Sequence, residues 1–132
     1  MPNKAQNSKS IIYQARSGAI ELKGDILHET IWATQTQIAL AFDVSVKTIN
    51  EHIQNIFKTQ ELLEKSTIRK FRIVQKEGSR EIARNVKHYN LDVILSTGYR
   101  VNSKKATQFR QWATKTLRQY IFSGFVIDKK KV

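Results

Sequence analysis

Thr34–Phe57, TQTQIALAFDVSVKTINEHIQNIF, holds two apolar-periodic segments with a short break between them. Ile38, Ala39 and Phe42 fall at helical spacing, so Gln35–Phe42 is expected to form a helix capped by Thr34. Asp43-Val44-Ser45 interrupts the period. Ser45 can accept a free backbone N–H of the next turn, and Ile49, Ile53 and Ile56 give a second helix, Val46–Phe57, its inward stripe. The small Ala39 lets the helices cross closely, Val44 plugs the turn, and Ile49 packs beneath the first helix. These offsets match a DNA-binding helix-turn-helix, although an ordinary αα-corner would share them. Asp43 stands where such motifs most often carry glycine, and aspartate tolerates the left-handed region better than most residues.

At 132 residues the chain is long enough for one domain with a real core. It has no cysteine, so disulfide and thiolate chemistry are excluded, which fits a reducing cytosol. No apolar run approaches the roughly 20 residues of a membrane span, and no signal-peptide pattern is present. A cytoplasmic protein with no membrane partner is expected. The net charge of +12 is unevenly placed. Residues 1–33 carry +1 and residues 34–65 carry −1, whereas 66–89 carry +5 and 90–132 carry +7. The helix pair is therefore nearly neutral, and the positive field comes from the later half. A polyanionic partner follows naturally, against the plainer reading of a solvated basic surface.

Before the helix pair, Met1–Ser10 is polar and aperiodic, a disordered tail. Ile11–Ala15 and Ala19–Lys23 alternate around Arg16-Ser17-Gly18 and predict a β-hairpin. Ile26–Ala33 continues in β fashion, with Trp32 a core residue pinning the hairpin to the helices. After Phe57, Lys58–Lys65 reads as a polar connection whose Leu62-Leu63 packs over the helix ends. Thr67–Lys76 and Arg80–Tyr89 then form a second hairpin with Glu77-Gly78-Ser79 as its turn, placed as a wing would be. Arg69, Lys70, Arg72, Lys76, Arg80, Arg84 and Lys87 are read as its outward residues. Such like charges on adjacent strands repel unless an anion approaches. Asn90 caps a helix over Leu91–Thr97 that ends at Gly98, and Asn102 or Ser103 caps a longer one stopped by Gly124. Ala106, Phe109, Ala113, Leu117 and Tyr120 form its apolar stripe, with Lys104, Gln108, Gln111, Lys115, Arg118 and Gln119 opposite. Trp112 lies at the edge of the stripe, and Phe125–Ile127 reads as a last strand or a prop.

Little here suggests catalysis. His28, His52 and His88 sit at no metal-ligand spacing, and no glycine-rich phosphate loop or carboxylate cluster occurs. Asp25, Glu29, Glu64 and Asp92 read as caps or surface groups. Neither an enzyme nor a cofactor or metal is expected.

Two blocks, YNLDVILSTGYRVNS (89–103) and TQFRQWATKTL (107–117), together with IWATQTQIALAFDVSVKTINEHIQNIFKTQEL (31–62), resemble the N-terminal region of the RhuM virulence-protein family over about residues 11–130. The later block is also distantly similar to the closing part of Bro-N domains. The resemblance implies a bacterial, mobile-element-associated module taken to bind DNA. It also implies a following domain, Fic/Doc-like in some relatives.

The expected fold is therefore α+β and winged helix-turn-helix-like, with an N-terminal hairpin, a hairpin wing and a long C-terminal helix. Residues 1–10 are the tail, 11–127 the DNA-binding module and 128–132 the start of a linker. Double-stranded DNA is the expected partner. Lys47, Thr48, Asn50, Glu51, Gln54 and Asn55 would face the major groove, where Asn or Gln pairs with adenine and Glu with cytosine. Arg72, Lys76, Arg80 and Arg84 would hold phosphates from the wing. Arg100, Lys104 and Lys105 would add contacts where the last helix starts. A homodimer and a downstream effector domain are compatible further partners. A rival reading from another class is an adaptor whose basic face docks an acidic protein, favoured by the −1 balance of the helix pair.

Overall fold

A computed structural model describes residues 8–131; the tail expected over residues 1–10 lies outside them as far as residue 7. The chain is mixed α and β. A three-stranded antiparallel sheet comes first, with β1 (Ser8–Ala15), β2 (Gly18–Asp25) and β3 (Thr30–Trp32) in sequence order. The helices α1 (Gln35–Phe42) and α2 (Val46–Lys58) follow, then a single turn α3 (Glu64–Thr67) that starts at the end of the stretch read as a polar connection and takes in Thr67, expected to begin the second hairpin. A two-stranded ribbon, β4 (Ile68–Glu77) and β5 (Arg80–Tyr89), leads into α4 (Leu91–Val101) and α5 (Ser103–Lys131).

Local chemistry accounts for the helix pair. Thr34 and Gln37 make a reciprocal capping box: the Gln37 N–H donates to Thr34 Oγ1 at 3.1 Å, and the Thr34 N–H donates to Gln37 Oε1 at 2.9 Å. Asp43 closes α1 in the left-handed region (φ 59°, ψ 50°), its N–H donating to the Ala39 carbonyl. Ser45 caps α2 by accepting the Thr48 N–H at 3.1 Å. Ile49, Ile53 and Ile56 are all buried, so α2 turns one face wholly inward.

Glycine 98 is not a helix terminator. It lies inside α4, buried, and a Cβ there would stand 2.5 Å from Phe42 Cζ. The missing side chain admits the Phe42 ring at the end of α1, and Phe42 in turn meets Phe109 of α5 at 5.9 Å between centroids. This aromatic contact joins the helix pair to the last two helices. Likewise Gly124 does not stop α5, and Phe125–Ile127 is helical rather than a strand, as are the residues up to Lys131 expected to begin a linker.

Aspartate 25, read as a cap or a surface group, does cap a turn, its Oδ1 accepting the His28 N–H at 3.1 Å. Far from a surface group, it is 1% exposed. Its Oδ2 accepts from Trp32 Nε1 at 3.0 Å and contacts His28 Nδ1 at 2.8 Å, while Arg69 of β4 approaches to 3.7 Å. Burial pushes this carboxyl up, but the hydrogen bonds from Trp32 and His28 outweigh it and hold the group below its ordinary value. Trp32 meets Phe71 edge-on at 6.0 Å, so it pins the first sheet to the ribbon. Trp112 packs within its own chain, 4.8 Å from Tyr13 and 5.2 Å from Phe109. Leu62 packs on the core, whereas Leu63 is exposed.

Candidate nucleic-acid interface

The ribbon decides how the surface is organised. Its loop is two residues, Gly78-Ser79, so Glu77 pairs with Arg80 and Arg72 with Asn85. A three-residue turn would instead have set Lys76 opposite Arg80. That one-residue shift moves side chains to the other face, because strand side chains alternate. The cations read as a single outward set are thus split. Arg69, Arg80 and Arg84 share the face of Phe71 and Val86, while Lys70, Arg72, Lys76 and Lys87 share the face of Tyr89. Val74, Ala83 and Asn85 lie on the Tyr89 side too and were not in the expected site. The parity of the strands would have revealed them, had the loop length been known.

At its root the Tyr89 side is tied to the helix pair. Ala33 and Tyr89 exchange two backbone hydrogen bonds, at 3.0 and 2.8 Å. Gln35 Nε2 at the start of α1 donates both to the Tyr89 hydroxyl at 3.0 Å and to Asn50 Oδ1 of α2 at 3.1 Å. A polar seam, hydrogen-bonded from Asn50 of α2 through Gln35 to Tyr89, therefore ties α2 to the root of the ribbon face that also carries Lys70 and Lys87. Gln35 is the residue the sequence reading missed here, since nothing local marks a helix-start glutamine as a junction.

Of the α2 residues, Lys47, Glu51, Gln54 and Asn55 are exposed. Asn50 is half-buried in the seam, and Thr48 is half-buried with its Oγ1 accepting from Ser45 at 2.9 Å. Several expected phosphate contacts are engaged inside the protein. Arg84 pairs with Glu77 at 2.9 Å, and Arg100 pairs with Glu61 at 2.8 Å, joining the end of α4 to the residues after α2. That Arg100 hydrogen bond, with one to Ser96, holds the Glu61 carboxyl below its usual value. Lys105 lies 4.0 Å from Asp43, which brings the start of α5 beside the turn between α1 and α2. Arg72, Lys76, Arg80 and Lys104 are exposed and make none of the salt bridges found among the described residues.

On the opposite side of the ribbon a groove of about 570 Å³ separates Ile73, Val86 and His88 from Lys23 and Gln37. His88 is buried, with Nδ1 2.9 Å from the Val86 carbonyl. Desolvation holds its basicity below the ordinary histidine value, the Val86 contact opposing and Lys23 assisting. Among the described residues no three His, Asp or Glu side chains gather as metal ligands, and no helix is long and apolar enough to cross a membrane.

The chain belongs to the virulence protein RhuM family, whose model matches residues 66–132, from the last residues of α3 through the ribbon, α4 and α5. No curated protein and no solved structure matches it.

Proposed function

We infer that this chain is a non-catalytic, winged-helix-like module that binds double-stranded DNA. The observation carrying the reading is the seam: Asn50 of α2 is joined, through Gln35, to Tyr89 at the root of a ribbon face bearing four cations. Lysines 70 and 87 are directly opposite each other across the two strands, an arrangement that costs stability unless an anion lies over it. In this reading Lys47, Gln54 and Asn55 of α2 face the major groove, and Lys104 with the ribbon cations holds phosphates. Arg100 and Arg84 act internally, as tethers, rather than on the nucleic acid.

Anisotropy titration of a random duplex at several salt concentrations tests it. About six neutralised phosphates give a slope of log K against log salt of about −5. The double substitution Arg72→Glu with Lys87→Glu lowers affinity by about 100-fold or more at low salt. A flat salt response, with no duplex retained even at low salt, rejects the reading. The near-neutral balance of the helix pair favours one rival, an adaptor docking an acidic protein or a downstream effector through the same basic surface. That rival gains if Arg72→Glu with Lys87→Glu leaves weak DNA binding unchanged but releases an acidic partner.

A further inference from the structure

The Tyr89 side of the ribbon carries more than a phosphate grip needs. Reading outward from its root, the cross-strand pairs are Lys70–Lys87, Arg72–Asn85, Val74–Ala83 and Lys76–Glu81, and all eight residues are exposed. Val74, 57% exposed, has water where a strand valine is normally covered. Phosphates have no use for an apolar pair flanked by an arginine–asparagine pair. Base edges do: arginine pairs with guanine O6 and N7, asparagine with adenine N6 and N7, and a small apolar group meets the thymine methyl. The methyl is displayed only in the major groove, and that groove admits a two-stranded ribbon.

Resting on the DNA-binding reading above, we propose that the β4–β5 ribbon is a base reader that lays its Tyr89 side into the major groove. Arg72 and Asn85 discriminate guanine and adenine, and Val74 with Ala83 covers a thymine methyl. Lys70, Lys87 and Lys76 hold the flanking phosphates. The scale agrees. Alternate residues on a strand are about 6.6 Å apart, so Lys70 to Lys76 spans about 20 Å. At 3.4 Å per base pair this is roughly six base pairs, of which the two middle pairs of residues read about half. The register is what makes the set. With Lys76 opposite Arg80, Arg84 would have faced Arg72, and the surface would have been a charge grip without an asparagine partner.

Selection of a randomised duplex pool on the full chain, followed by competition titrations, decides the matter. The wild-type chain is expected to show preferences at two groups of positions, one set by the ribbon and one by α2. Asn85→Ala removes the preference for one A·T pair by about 10- to 100-fold while leaving affinity for random duplex unchanged. Arg72→Ala does the same at one G·C pair, with some general loss of affinity. Replacing thymine by uracil in the selected site weakens the wild type but not Val74→Ser, and the wild-type half of that comparison needs no variant to fold. The proposal is overturned if selection yields no preference, or if the ribbon variants leave every preference intact while Gln54→Ala alone alters them. Retention of no duplex at all is a different result: it removes the DNA-binding reading itself.

Discussion

Phe42 and Gly98 form the contact on which the arrangement of the helices turns. The ring fills the space where any other residue at 98 would carry a side chain, with three ring carbons within 3.0 Å of the Cβ site. Phe42 is fully buried between helices and cannot swing away, so Gly98→Ala must move α4 relative to α1. The gain in helix propensity, about 1 kcal/mol, is smaller than the overpacking cost of about 1–3 kcal/mol, and net destabilisation is expected. Chemical denaturation measures it, and an unchanged midpoint would show that the contact is slack. No sequence pattern could have told this glycine from a breaker. Within an amphipathic helix the two are identical until the partner ring is known.

Among elements, the α1–α2 pair was legible because everything that defines it is short-range. The caps at Thr34 and Ser45 lie within three residues of their partners, and the inward isoleucines repeat along one helix. The same holds for both hairpins, marked by Gly18 and Gly78 at positive φ. What stayed hidden needed one more residue of precision, or a partner far away in the chain. The face that each ribbon cation occupies depends on whether the loop has two residues or three. The burial of Asp25 depends on Trp32 from the neighbouring strand and Arg69 from another sheet. At the turn itself Asp43 carries the left-handed conformation, which costs roughly 1–2 kcal/mol for most side chains and less for aspartate. Asp43→Ala is therefore expected to lower stability by about 1 kcal/mol, and Asp43→Gly to leave it level or raise it slightly. Equal losses from both would place the importance of Asp43 in its carboxylate beside Lys105, not in its backbone.

For the whole molecule, two buried titratable groups shape the loss of stability towards acid. His88 binds its proton less readily folded than unfolded, since its folded value lies below the ordinary 6.5. Stability is therefore full above about 6.5 and falls as acid protonates the unfolded chain more than the native one. Asp25 works lower down: its folded value lies below 3.8, so its contribution is present above that and lost as pH falls through the folded value. Thermal melts should show a decline between pH 7 and 5 that is smaller in His88→Gln, then a steeper one below pH 4. A wild-type melting profile flat from pH 7 to 5 would mean that His88 is as free to protonate in the fold as in water.

Tyr89 ends the ribbon and Asn90, the next residue, caps α4 by accepting the Val93 N–H at 3.2 Å. No flexible linker intervenes, and the Asn90 N–H donates to the Thr67 carbonyl at the foot of β4, at 3.0 Å. The ribbon is thus a lever whose fulcrum is the first turn of α4, and α4 carries the glycine in which the Phe42 ring of α1 is seated. A push on the outer end of the ribbon therefore bears first on α4 and, at Gly98, on the end of α1.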